Sequence, residues 1–202
     1  YKYYMKILAI QNRMGIGDTV IFLPFIKALY KKFNSPVSLL VKESSKADQY
    51  LYETDYIDKI LILDRDSNNN NRDNGFFGSL SLIKDLKKHN FNKIFIFNAS
   101  IRFNLIARFS NIPEIYQYPL FSKYKQHITN TPKKFIKDTI DVDVAEDPVI
   151  EIGNKFILEA IKKFEINKNE LNILMGIGGS GPTKRIPSRI FLEVIDKILR
   201  VK

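Results

Sequence analysis

The chain has 202 residues, 45% hydrophobic and 27% charged, a composition that can bury a sizeable core and excludes a disordered segment. It contains no cysteine, which excludes disulfides, thiolate metal sites and a cysteine nucleophile, and two histidines, His89 and His127, are too few for a conventional zinc centre. Lys and Arg number 32 against 22 Asp and Glu, a surplus of +10 that favours anionic partners but equally fits a genome that writes Lys, Asn and Ile freely.

Short apolar strands alternate with amphipathic helices, the pattern of a parallel α/β sheet. Residues 6–10 read as the first buried strand. Residues 18–33 follow as a helix with Val20, Leu23, Ile26, Ala28, Leu29 and Phe33 largely on one face, and Pro24 is expected in its second turn. The second strand is 37–41, then a helix over 44–52 opened by serine caps, then a third strand at 59–63. Residues 64–75 form a polar tract containing Asn68 to Asn71, expected as a surface loop. A helix at 76–89, a fourth strand at 93–97, a helix at 101–109 and a short strand at 114–118 come next. Between 119 and 147 the pattern weakens, leaving a loop and one helix near 133–139. The helix at 153–164 has Phe156, Ile157, Ala160, Ile161 and Phe164 on its inward face. A new βα unit then begins, with a strand at 172–176, a glycine-rich loop and a helix from 188 to 199. The domain boundary is placed in 165–171, giving domains 5–165 and 166–202.

Two glycine loops carry the chemistry. The first, Gln11-Asn12-Arg13-Met14-Gly15-Ile16-Gly17-Asp18-Thr19, joins the first strand to the first helix, at the sheet edge where ligands bind in such folds. Three readings of Asp18 stay open. It is a helix N-cap; or part of a dinucleotide loop, against which stand the missing third glycine and a carboxylate beside the phosphates; or a general base held at the helix start. The second loop runs from Gly176 to Pro187 and holds four glycines, Ser180, Thr183, Lys184 and Arg185, a set suited to a diphosphate. It lacks Walker A spacing.

Met5-Lys6-Ile7-Leu8, Gly17-Asp18, Leu23-Pro24 and Ala28-Leu29, with Tyr56 to Ile60, Lys93 to Asn98 and Gly178 to Pro187, resemble in order and spacing the family 9 glycosyltransferases, which include the lipopolysaccharide heptosyltransferases. The family usually has Asp where Asn98 stands, and an aromatic residue where Ile186 stands. The resemblance implies a GT-B fold, of which the chain would hold the Rossmann-like N-terminal half and the first βα unit of the second half. It implies inverting, metal-independent transfer of a heptose or related sugar from an ADP-sugar to the lipopolysaccharide inner core, with no cofactor beyond the donor. Asp18 is then the general base. Gly178, Gly179, Ser180, Thr183 and Lys184 bind the donor, while Asn12, Arg13, Gly17 and Arg102 bind the acceptor, with Lys123 a weaker candidate and His127 in a capping or surface role. The expected partners are a nucleotide-sugar donor, an anionic glycolipid and the inner face of a membrane, without nucleic acid. A cytoplasmic location is expected, since no apolar run nears the roughly 20 residues of a span and residues 1–6 carry no signal-peptide pattern. The rival readings are a truncated, non-catalytic acceptor-binding domain and a Rossmann oxidoreductase.

Overall fold

The computed structural model describes residues 5–13, 15–64, 72–120, 128–145, 147–178 and 185–200. Of the residues singled out in the sequence, Met14, Lys123, His127, Gly179, Ser180, Thr183 and Lys184 lie outside the described residues, as does most of the polar tract. The chain divides into two compact units, Tyr1–Gly153 and Asn154–Lys202. The helix that begins at Asn154 thus goes with the second unit, whereas the sequence reading assigns it to the first domain.

In the first unit, β1 (Ile7–Gln11), β2 (Val37–Lys42), β3 (Ile57–Leu63), β4 (Lys93–Ile96) and β5 (Glu114–Gln117) form one sheet. Its order is β3-β2-β1-β4-β5 and every neighbouring pair is parallel, as the alternating pattern predicts. Five helices accompany it among the described residues: α1 (Ile16–Phe33), α2 (Ala47–Tyr50), α3 (Gly75–His89), α4 (Ile101–Phe109) and α5 (Asn130–Ile140).

Successive strand side chains face opposite ways, so a strand covered on both sides must be apolar throughout. Every residue of β1 is buried. Ile7 and Ala9 join a core with Phe22, Phe25, Ile26 and Leu29 of α1 and Phe135 and Ile136 of α5. Leu8 and Ile10 join the opposite core, with Leu82 and Leu86 of α3 and Phe103, Ile106 and Ala107 of α4. Each of these Ile, Leu and Phe side chains contributes roughly 1.5–3 kcal/mol by leaving water.

Three local expectations are corrected. The cap of α1 is Gly15, at φ 100, a conformation open to glycine and strained for any side chain, so Asp18 is the third helical residue and not the cap. For the same reason Pro24 sits inside the helix and beyond its second turn. The helix expected over 44–52 is interrupted: Glu43–Ser45 form a single 3₁₀ turn, Lys46 turns left-handed at φ 51, and only Ala47–Tyr50 continue. The Ser45 hydroxyl accepts a hydrogen bond from the Ala47 amide, a local bond that competes with helix.

The second unit contains α6 (Asn154–Lys163) and α7 (Ser188–Arg200), neither with a buried residue. Phe156, Ile157 and Phe164 have the expected spacing but stay exposed. Residues 172–178 form no strand, and Leu174 is 99% exposed. A strand exists only through the ladder of its neighbours, and the described residues of this unit supply no second strand to pair with.

Two stability predictions follow from close approaches. A β-carbon on Gly78 would lie 2.2 Å from the Asp73 carbonyl carbon, whereas one on Gly17 would meet nothing within 4 Å. Gly78→Ala is expected to lower the free energy of urea unfolding by roughly 1–3 kcal/mol, and Gly17→Ala not at all; equal midpoints would refute the packing seen at Asp73. At the sheet edge, hydrogen bonds from Lys93 and then Tyr116 hold the Glu114 carboxyl below its ordinary 4.5. A carboxyl depressed by folding stabilises at pH above its unfolded value and loses that contribution as pH falls through the folded one. Glu114→Gln is therefore expected to be slightly less stable at pH 7 and to show a flatter decline below pH 4.5.

Candidate active site at the strand-order switch

The order of the strands reverses between β1 and β4. From β1 the chain continues into α1, which packs on the sheet face of Ile7 and Ala9; from β4 it continues into α4, which packs on the face of Leu8 and Ile10. The two connections part to opposite sides and leave a crevice at the strand ends, the position where open α/β sheets bind ligands.

A cavity of about 730 Å³ lies at this crevice, within the range of small-molecule sites. Four aromatic rings line it: Phe22 from α1, Phe97 after β4, Tyr118 after β5, and Phe135 from α5. They meet edge to face, with centroids 5.5 Å apart for Phe22 and Phe97 and 5.1 Å for Tyr118 and Phe135. Polar lining comes from Asn12, Arg13, Asn98, Gln117, Lys134 and Asp138, among others. The hydroxyl of Tyr118 is buried without a hydrogen-bond partner among the described residues. Burial raises its pKa, partly opposed by the positive charge of Arg13. An unmet buried hydroxyl in a cavity wall is a donor and acceptor offered to a ligand or water.

A chain of amides fixes the rim. Asn98 Nδ2 donates to Asn12 Oδ1 at 3.1 Å, joining the β4 loop to the β1 loop. Gln117 Nε2 donates to the carbonyls of Asn98 and Ser100 at 3.1 and 2.9 Å. Asn104 Nδ2 in turn donates to Gln117 Oε1 at 2.8 Å. At the end of β1 the buried Gln11 ties loop to helix: its Oε1 accepts from the Arg13 amide at 2.8 Å, and its Nε2 donates to the Asp18 carbonyl at 3.2 Å.

The sequence candidates divide. Asn12 and Arg13 line the cavity. Asp18 does not; it is half-buried in the first turn of α1, with Oδ2 3.7 Å from where a β-carbon of Gly15 would stand. Its carboxylate lies over the loop, at a helix end that favours negative charge. Gly17 is exposed beside it. Arg102 is a correction. Its Nε donates to Ser79 Oγ at 2.8 Å and its terminal nitrogen to the Asp73 carbonyl at 2.6 Å, so it fastens α4 to the start of α3 and does not line the cavity. Gly178 is exposed in the second unit. Sequence reasoning missed Gln11, Gln117, Tyr118, Lys134 and Asp138. Gln11 and Gln117 could have been found as polar residues ending apolar strands.

No family model matches the sequence, and no curated protein matches it. Among solved structures, a glycosyl transferase of family 9 from Veillonella parvula DSM 2008 superposes with a TM-score of 0.77 at 19% identity, over 98% of this chain and 61% of that one. The fold is that of the family 9 glycosyltransferases. An ADP-heptose lps heptosyltransferase II of E. coli matches with a TM-score of 0.68 at 14% identity, covering 97% of this chain and 62% of that one. The E. coli heptosyltransferase WaaC, solved with ADP, matches with 0.55 at 10% identity, over 96% and 64% of the two chains. The chain thus spans about three-fifths of the length of these solved structures.

The rim and the floor predict opposite responses to substitution. Gln11→Leu strands the Arg13 amide and the Asp18 carbonyl, and should cost roughly 1–3 kcal/mol in urea unfolding. Tyr118→Phe removes a hydroxyl that has no partner to lose, and should leave stability unchanged or raise it by up to about 1 kcal/mol. A large loss from Tyr118→Phe would show that the hydroxyl is already satisfied.

Proposed function

We propose that the chain belongs to an inverting glycosyltransferase that moves a heptose or related sugar from an ADP-sugar to the inner core of an anionic glycolipid. The observation that carries this reading is the aromatic-floored, amide-rimmed crevice at the β1–β4 switch of a family 9 fold, with Asp18 on the first turn of the helix that follows β1. Aromatic rings and fixed amides suit a sugar, which offers C–H faces to the rings and hydroxyls to the amides. Arg13 and Lys134 supply the charge for an acidic headgroup.

In the proposed reaction an acceptor hydroxyl oxygen attacks the anomeric carbon of the donor from the side opposite its diphosphate. The new C–O bond forms as the bond to ADP breaks, and Asp18 takes the hydroxyl proton. The transition state has oxocarbenium character, so the hydroxyl acidifies as bonding develops and a carboxylate suffices as base. Asn12, Arg13 and Gly17 hold the acceptor. The loop from Gly178 through Gly179, Ser180, Thr183 and Lys184 takes the leaving diphosphate through amides and a cation. In this reading residues 5–165 form the acceptor domain and 166–202 begin the donor domain. No metal or cofactor enters, and the protein works in the cytoplasm at the inner membrane face.

Two carboxylates compete for the role of base, because Asp138 lines the cavity and Asp18 does not. ADP release from ADP-heptose in the presence of an inner-core acceptor separates them. Asp18→Asn is expected to lower kcat by roughly 10²–10⁴-fold with little change in donor affinity. Asp138→Asn is expected to change the acceptor KM while sparing kcat. The reverse pattern transfers the base role to Asp138. Acceptor binding without turnover in the unaltered chain makes it a binding module instead.

A further inference from the structure

Three charged side chains line the crevice: Arg13 from the loop after β1, and Lys134 and Asp138 from α5. Thr131, Lys134, Phe135 and Asp138 recur at helical spacing, so one face of α5 presents all four to the cavity. Lys137, on the same helix but outside that lining, is already paired with Asp141 and Asp143 at 2.9 and 2.8 Å. Lys134 and Asp138 stand four residues apart, a spacing at which helix charges pair. Yet among the described residues neither forms an ion pair or a side-chain hydrogen bond, and the Arg13 guanidinium forms none. Two cations and one carboxylate therefore border one cavity, each with its charge unmatched.

We propose that the crevice takes an amino sugar that also carries an acidic group, with its ammonium on Asp138 and its phosphate or carboxylate on Arg13 and Lys134. A neutral sugar would leave all three charges unmatched, and a purely acidic one would set its anion against Asp138. A ligand bearing both signs complements the set. The walls favour the same chemistry. Phe97 stands nearly perpendicular to Phe22, Tyr118 and Phe135, at 81°, 83° and 80°, and rings gathered around a cavity in this way attract an ammonium group. Phe135 lies one turn before Asp138, so ring and carboxylate can act on one cation. The buried Tyr118 hydroxyl, without a partner among the described residues, is left for a hydroxyl of the sugar ring. The inference rests on the reading of the crevice as the acceptor site and narrows the acceptor from an acidic sugar to one that bears an amine as well.

Calorimetric binding of small sugar phosphates to the full chain at low salt tests the assignment without turnover. Glucosamine 6-phosphate is expected to bind about fivefold tighter than glucose 6-phosphate, the worth of one solvent-screened ion pair with an aromatic contact. N-acetylglucosamine 6-phosphate, whose nitrogen carries no charge, should bind no better than glucose 6-phosphate. O-phosphoethanolamine, with both charges and no ring, should bind more weakly than glucosamine 6-phosphate. Asp138 is exposed on its helix, so Asp138→Asn should fold normally and erase the preference for the amine. Lys134→Gln should weaken both hexose phosphates alike and keep that preference. Equal binding of the glucosamine and glucose phosphates overturns the proposal, as does a preference that survives Asp138→Asn or that the N-acetyl sugar shares. Phosphoethanolamine binding as tightly as glucosamine 6-phosphate removes the sugar from it, and the absence of binding by every probe ends it. ADP release from ADP-heptose with an amine-free acceptor, found together with no amine preference, would sink this inference and leave the transferase reading standing.

Discussion

The central strand governs the rest of the structure. β1 is hydrogen-bonded along both edges, to β2 and to β4, and covered on both faces, so its backbone is satisfied only inside the finished sheet. Five residues have no solvent-facing option, and Ile7 to Ile10 accordingly carry only apolar side chains. The one polar member, Gln11, comes at the end, where the ladder stops and the loop begins. Burying an amide there is tolerable because both of its ends are used, on Arg13 and Asp18. The same residue that ends the strand therefore shapes the loop on which the candidate chemistry sits.

From this follows the character of the crevice. A reversal of strand order creates a gap but does not hold its walls at a set distance. Here side-chain amides do so, from Asn12 through Asn98 and Gln117 to Asn104, spanning the ends of β1, β4 and β5. Asn98 stands where the family 9 pattern usually has Asp. An amide can donate to Asn12 and accept from the Ser100 amide at once, which an ionised carboxylate cannot. At this position the departure from the family pattern serves the local bonding.

The sheet was legible because its signal is local. A run such as Ile94-Phe95-Ile96 has nowhere to go but inside, and alternation with helices of regular period leaves few topologies. The Asp18 loop was legible for the same reason, through its glycines between strand and helix. What stayed hidden depends on long-range contacts or on single backbone angles. Nothing in the residues around Lys46 announces a left-handed turn, and Arg102 looks like a surface cation until Ser79 and Asp73 are brought beside it. Lys134 and Asp138 reach the cavity from α5, in the stretch where the apolar pattern is weakest. The strand expected at 172–176 has the right composition, but composition cannot provide a neighbour for it to pair with.

The separation between the cavity and Asp18 has a physical sense within the proposed reaction. The body of an acceptor must be gripped, but its attacking oxygen must stay at the surface to meet a donor arriving from outside. A base buried among Phe22, Phe97 and Phe135 would grip well and face no donor. In the proposed reaction the base is instead carried outside the cavity lining, on the first turn of α1, with its own carbonyl anchored by Gln11. Positioning by the cavity and proton transfer by the helix end are then separate tasks, joined through the single buried amide between Arg13 and Asp18.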